Sequence, residues 1–206
     1  QRLVANSDTP FEEATLDALL RIPGLHSILP SRAIEKEFDL ILPSVVEDLK
    51  NMKELPKTFK VKAKRIDKTF PKNSDEINRY LGYQLHEIFP DLKVDVHGPE
   101  LMVEIRIYRE KIYISTQKLL GIGGQPMGMS GHLITLISGG FDSPVASYLM
   151  SKRGCTQTFA FFYAYPFVGE EVKEKILELM KVLGKYQFGC RLFVIPFGDI
   201  QNLISK

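Results

Sequence analysis

Residues 132–154 read HLITLISGGFDSPVASYLMSKRG, an apolar strand that hands over to a helix across a glycine pair. The same alternation follows: strand TFAFFYAY, helix EEVKEKILELMKVLG, strand RLFVIPF. Apolar strands separated by helices require parallel pairing under crossover helices, so this half of the chain is expected to be an α/β unit. Only three strands are legible before the chain reaches NLISK, inside a further helix that Asp199 could cap, and such sheets are usually larger. The unit is therefore expected to be incomplete.

The glycine pair carries the chemistry. Glycines can adopt positive φ and leave backbone N–H groups unshielded, and a helix N-terminus adds unpaired donors and partial positive charge. Ser138, Gly139, Gly140, Phe141, Asp142 and Ser143 thus read as a phosphate cradle, with the two hydroxyls as further donors. Asp142, an unexpected neighbour for an anion, fits a magnesium ligand bridging to the phosphates. Pro144 suits the first helical position and Gly154 its end. The loop is neither GxxxxGK[ST] nor GxGxxG, and no lysine follows its glycines. From spacing alone, a plain strand-to-helix turn capped by Asp142 and Ser143 is the other reading.

Upstream, DTPFEEATLDALLRIPGLHSILPSRAI reads as a helix capped by Asp8 or Thr9 with Pro10 first, a stop at Pro23-Gly24 and a short strand HSILPSRAI. RLVAN before it resembles the tail of an earlier strand, so this unit too is expected to lack a part. Residues 37–118 form a second unit of mixed α+β type. It holds helix SVVEDLKNM and strand TFKVKAKRI, then a helix capped by Asn73 or Ser74 with stripe Ile77, Leu81, Leu85 and Ile88, and finally strands LKVDV, ELMVEIRIY and KIYIST. In TFKVKAKRI, Phe59, Val61 and Ala63 point one way and Lys60, Lys62 and Lys64 the other.

Net charge is only +2, which decides nothing about partners, but its distribution is uneven. Residues 57–72 hold Lys57, Lys60, Lys62, Lys64, Arg65, Lys68 and Lys72 against Asp67. Residues 119–131, LLGIGGQPMGMSG, are either a flexible linker or a loop that lets a polyanion approach the backbone. Cys155 and Cys190 lack CxxC spacing and His26, His86, His97 and His132 are scattered, so zinc and disulfide frameworks are unsupported. No apolar run approaches the roughly eighteen residues of a membrane helix, and the N-terminus has no signal-peptide pattern; a cytoplasmic protein fits.

SGGFDSPVA resembles the pyrophosphatase loop of the N-type ATP pyrophosphatases, and its Pro144-Val145-Ala146 continuation narrows the likeness to the tRNA 4-thiouridine synthetase (tRNA sulfurtransferase) family. KTFKVKAKRIDKTFPKNSDEINRYLGYQL, the strand pair after it and GIGGQPMGMSGH are similar to that family's THUMP domain and its connection to the ATP-binding domain. The first helix and strand fit the second half of a ferredoxin-like domain. The resemblance implies four segments: 1–36 partial ferredoxin-like, 37–118 THUMP, 119–131 glycine-rich linker, and 132–206 an incomplete PP-loop ATP pyrophosphatase domain. FAFFYAYPFVGEE departs from the family, with Tyr163 and Tyr165 where relatives often carry a histidine.

The resemblance implies an ATP-dependent enzyme that adenylates uridine 8 of tRNA so that sulfur can replace oxygen, giving 4-thiouridine. ATP and magnesium would sit at Ser138 to Ser143, with Asp142 the catalytic candidate. Sulfur would come from a cysteine desulfurase or another persulfide donor through a cysteine downstream of this sequence, since neither Cys155 nor Cys190 matches its position. Lys60, Lys62, Lys64, Arg65, Lys68 and Lys72 would bind RNA phosphates, with Gly123, Gly124 and Gln125 on the same surface or at a hinge. Phe70, Tyr80 and Tyr83 are candidate stacking partners for bases, with packing in the core as the other reading of each. Neither a homodimer nor a role in making thiamine's thiazole is decided by these residues. Two other readings stay open: another PP-loop ATP pyrophosphatase acting on a small molecule, and a non-catalytic THUMP RNA-binding module.

Overall fold

The computed structural model describes residues 3–206. Arg2 of the RLVAN segment lies outside them, and its remaining residues have no regular structure. In chain order the elements are α1 (Glu13–Leu20), β1 (Ser27–Ile28), β2 (Arg32–Glu35), a 3-10 turn (Phe38–Leu40), α2 (Ile41–Lys50), β3 (Thr58–Arg65), α3 (Ser74–Ile88), β4 (Lys93–Val94), β5 (Leu101–Ile107), β6 (Lys111–Ser115), β7 (Leu119–Leu120), β8 (His132–Leu136), α4 (Asp142–Lys152), β9 (Thr156–Tyr163), α5 (Glu170–Gly184), β10 (Arg191–Pro196) and α6 (Gly198–Ile204). They divide into two compact units, Leu29–Leu119 and the combination of Gln1–Ile28 with Leu120–Lys206.

The Leu29–Leu119 unit is a five-stranded sheet in the order β2-β6-β5-β3-β4. β3 runs parallel to β5 and β4, while β6 runs antiparallel to β5 and β2. Strand alternation sends Phe59, Val61, Leu101, Val103, Ile105, Ile107, Ile112 and Ile114 into one core with α2 and α3. Those helices contribute Ile41, Val45 and Leu49, and Ile77, Leu81 and Leu85, each set at helical spacing. Asn73 caps α3 by accepting from Asp75 and Glu76 N–H, while Glu76 accepts from Asn73 N–H at 2.7 Å, a complete capping box. Ile88, expected on the buried stripe, is exposed at the last residue of the helix, whereas Leu85 one turn back is fully buried.

In the other unit β8, β9 and β10 form a parallel sheet in the order β10-β9-β8. Because the order steps in one direction, right-handed crossovers place α4 and α5 on the same face. There Ile137, Phe159 and Phe161 pack with Ile176, Met180 and Leu183 of α5 and with Tyr148 of α4.

Several boundaries moved. HSILPSRAI is two strands, β1 pairing with β7 and β2 with β6, because proline cannot donate to a ladder and Pro30 separates them. α1 starts at Glu13 rather than after Pro10, and α6 has no side-chain cap from Asp199, which lies inside it. α2 and α4 begin at Ile41 and Asp142, which puts Pro43 and Pro144 in their first turns, where a missing N–H still costs nothing.

Candidate functional site

β8 ends at Leu136 and α4 starts at Asp142, so the glycine loop sits at the carboxyl end of the strand, where open α/β sheets place their ligands. Ile137 is buried and its N–H donates to Ala160 O at 3.0 Å, anchoring the lip of the loop. Beyond it the serines close the loop. Ser138 N–H donates to Ser143 Oγ at 3.0 Å, the two hydroxyl oxygens lie 3.1 Å apart, and Gly140 N–H reaches Ser138 Oγ at 3.4 Å. Phe141 projects outward, 84% exposed, and the Asp142 side chain is exposed as well.

The expected use of the two glycines needs correction. Neither Gly139 nor Gly140 takes a positive φ. A Cβ on Gly139 would lie 3.3 Å from Val172 Cγ1, so its missing side chain admits the first turn of α5 against the loop. At Gly140 the nearest contact would be an ordinary 3.6 Å, and what glycine provides there is bare backbone.

α4 is held by polar groups that the sequence pattern did not single out. Gln157 of β9 is buried; its Oε1 accepts from Thr135 Oγ1 (2.7 Å) and Ser147 Oγ (3.0 Å), while Nε2 donates to Ser147 O and Ser151 Oγ, both at 2.8 Å. All four hydrogen-bonding positions of the amide are filled, so the network locks the register of α4, and with it the loop, against β9. At the far end of α4 the 119–131 segment is structured. Gln125 N–H donates to Lys152 O and Gly128 N–H to Gly154 O, both at 2.8 Å, and Ser130 Oγ donates to Arg153 O at 2.7 Å. The close approach demanded by Gly121 and Gly124 is made by the protein's own backbone: added Cβ atoms would meet Leu25 O at 2.3 Å and Lys152 O at 2.1 Å. Gly124 also has a φ of +85°. Gln125 Oε1 is occupied by Ser130 Oγ, and Gly123 lies against the His26 ring.

Where β9 ends, Tyr163 donates its hydroxyl to Glu170 Oε1 at 2.9 Å, and Lys173 bonds the same carboxylate at 3.1 Å while lying 5.5 Å from the Tyr163 ring centroid. Burial first and the Glu170 bond second push the Tyr163 phenol up to about 12, so it stays neutral. Neither cysteine is set up as a nucleophile. Cys155 is buried against Ser130 O, and burial pushes the Cys190 thiol up despite the bond from Gln187 Nε2. Among the described residues, no group of three or more His, Cys, Asp and Glu side chains gathers as for a metal ion. A lone exposed carboxylate such as Asp142 beside the glycine loop would fit magnesium arriving with a nucleotide, because that ion takes one or two carboxylates and completes its shell with phosphate oxygens and water.

In the Leu29–Leu119 unit, Lys62 and Lys64 are exposed on the sheet face opposite the helices, in register with Glu104 and Arg106, which bond each other at 2.5 Å. Lys60 Nζ instead donates to Val96 O at 2.8 Å. Asp67, the acid within the basic segment, is occupied by Lys36 at 2.6 Å and by Thr69, which together hold its carboxyl well below the usual range. Arg65 and Lys68 join Arg79, which pattern reading missed, in an open cleft of about 550 Å³ over the first turn of α3. Arg79 is legible only as a helical position one turn beyond the cap. Lys72 lies 5.9 Å from the Phe38 ring centroid. Of the stacking candidates, Phe70 is buried in the core, Tyr80 packs on Phe38 at 5.0 Å, and Tyr83 is exposed.

These two units define the class. The first is a THUMP domain, whose family matches residues 36–117; the second is an α/β PP-loop domain, and residues 128–206 match the family described as thiamine biosynthesis protein (ThiI). Similar proteins include probable tRNA sulfurtransferases of Agathobacter rectalis (38% identical, 100% of this chain and 52% of the relative) and Limosilactobacillus fermentum (37%, 94% and 48%). Among solved structures, a 4-thiouridine synthetase in complex with RNA and bound ATP superposes with a TM-score of 0.82 at 32% identity, covering 95% of this chain and 52% of that one. PH1313 of Pyrococcus horikoshii does so with 0.75 at 28%, covering 97% and 67%. Nearly the whole chain is thus similar to members of the tRNA 4-thiouridine synthetase (tRNA sulfurtransferase) family. It spans about half the length of the curated relatives it matches. No helix among the described residues is long and apolar enough to cross a membrane.

Proposed function

We propose that this chain carries the nucleotide-binding loop and an RNA-binding surface of an ATP-dependent tRNA sulfurtransferase working in the cytoplasm. The observation that carries the reading is the Ser138–Ser143 loop, closed by its own serines between a strand end and a helix start, in a chain whose fold matches an ATP-bound relative. The uridine O4 of tRNA would attack the α-phosphorus of ATP; the bond from that phosphorus to the bridging oxygen would break, and pyrophosphate would leave. A persulfide, supplied by a cysteine desulfurase or another donor, would then attack C4 through its outer sulfur and expel AMP; a second thiol would cleave the resulting C4–S–S–C linkage, leaving that sulfur on C4 and joining the two thiol sulfurs as a disulfide.

The chain's own residues would do three things here. Backbone N–H groups of the loop and of the α4 N-terminus would hold the β- and γ-phosphates and stabilise charge as they depart. The Gln157 network would keep that cradle in place before substrate arrives, so no ordering is needed at the moment of reaction. Asp142 would hold magnesium, which when bound neutralises phosphate charge. Tyr163, kept protonated and tied to Glu170, is a neutral wall in this reading rather than a base.

On the RNA side, Lys62 and Lys64 on the sheet face, and Arg65 and Lys68 with Arg79 in the cleft, would neutralise phosphates without reading sequence, with Lys60 and Lys72 beside them. Gly123, Gly124 and Gln125 are needed inside their own unit, so their RNA role would fall to whatever backbone they leave exposed. Pyrophosphate release from ATP, followed with and without unmodified tRNA, tests the whole reading. Release that requires tRNA and disappears in Asp142→Ala is the expected result; tRNA binding without any release would instead favour the RNA-binding module. Replacing Lys62 and Lys64 by alanine should lower the salt slope of tRNA binding by about 2, and an unchanged slope would move the RNA surface elsewhere.

A further inference from the structure

The glycine loop contains no lysine, although it is read as a cradle for a highly charged polyphosphate. A cation is supplied from another element. Lys175, in the second turn of α5, places its Nζ 5.4 Å from the ring centroid of Phe141, inside the loop. The approach is built in. Val172, one turn earlier on the same face, is the residue for which Gly139 gives up its side chain, so this end of α5 is seated against the loop. Long side chains on a helix lean toward its N-terminus, which carries the Lys175 ammonium back over that contact.

The neighbouring lysines differ. Lys173 is bound to Glu170 and Lys181 to Glu178, whereas among the described residues no carboxylate forms a salt bridge with Lys175. It lies instead over the face of Phe141, an aromatic ring 84% exposed. An exposed cation–π contact is weak, so it can position the ammonium without competing with a phosphate.

We propose that Lys175 binds the β- and γ-phosphates of the nucleotide, supplying from α5 the charge that the loop lacks and stabilising the pyrophosphate as it leaves. The proposal rests on the reading of Ser138–Ser143 as the ATP site. Binding of ATP, of inorganic pyrophosphate and of AMP to this chain separates the two, measured by calorimetry in the wild type and in Lys175→Ala, Lys175→Arg, Lys181→Ala and Gly140→Val. Loss of one charge-assisted bond should raise Kd for ATP and pyrophosphate at least about tenfold in Lys175→Ala, with AMP unchanged and Lys175→Arg close to wild type. Lys181→Ala removes the same net charge elsewhere on α5 and should change nothing. If Gly140→Val abolishes ATP binding while Lys175→Ala leaves it intact, the lysine's role is overturned and the loop's stands. If neither variant alters ATP binding, both are overturned. Equal losses for ATP and AMP in Lys175→Ala would also overturn the proposal, since the lysine would then be supporting the loop's shape and not its phosphates.

Discussion

The two sheets solve burial differently. In the mixed sheet β2-β6-β5-β3-β4, one face takes the aliphatic core and the other carries Lys62, Lys64, Glu104 and Arg106, so a single helix layer suffices. In the parallel sheet β10-β9-β8, α4 and α5 cover one face, while the other presents Ile134, Leu136, Phe162 and Phe193, with Ile134 73% exposed. Alternation with charge makes a sheet self-sufficient with one partner layer; continuous apolar strands call for partners on both faces. The same contrast divides the chemistry that each unit suits: a charged face suits a polyanion, and a strand end with a glycine loop suits a nucleotide.

The contrast can be broken at several points. A large effect is expected at Gly124→Ala, where a Cβ would run into Lys152 O at a φ of +85°. A loss on the order of 3 kcal/mol in denaturant unfolding is expected, and a neutral result would mean that the segment is a loose connector after all. Ile105→Ala, in the fully buried core of the mixed sheet, should cost about 2–5 kcal/mol. Ile134→Ala, the same change on the open face of the parallel sheet, should stay within about 0.5 kcal/mol; equal costs would show that the face is covered in solution.

Gln157→Leu should cost roughly 2–3 kcal/mol, because it strands Thr135, Ser147 and Ser151 in a buried site, and should weaken ATP binding along with stability. Smallest in energy is the response of the open face itself. It should bind a hydrophobic dye such as ANS, and paired Ile134→Lys and Phe193→Lys changes should remove most of that signal while the helix content read by circular dichroism holds. Undiminished dye binding would place the exposed apolar surface elsewhere.

Much of this was legible in one dimension because it depends on neighbours in the chain. Alternation in residues 58–65 placed the lysines on one face of β3, the Asn73–Glu76 spacing announced the α3 cap, and the strand-glycine-helix order located the loop. Errors fell where the deciding partner is remote. Ile88 kept the helical period yet is exposed at the helix end, and of the two readings open for Phe70, stacking partner or core residue, the fold takes the core. Glycine composition at 119–131 suggested flexibility, whereas Leu25 O and Lys152 O, from other elements, make those glycines obligatory.

Local periodicity and turn chemistry therefore determined which segments would be strands and helices, which faces would be charged, and where the strand-to-helix glycine loop would fall. Only the tertiary structure decided what fills each remaining gap: Val172 against Gly139, Gln157 beneath α4, Arg79 beside Arg65, and Lys175 over Phe141. The reason is physical. Periodicity records how a residue relates to the next few along the chain, whereas steric exclusion and hydrogen bonding act on whatever the fold brings within a few ångströms.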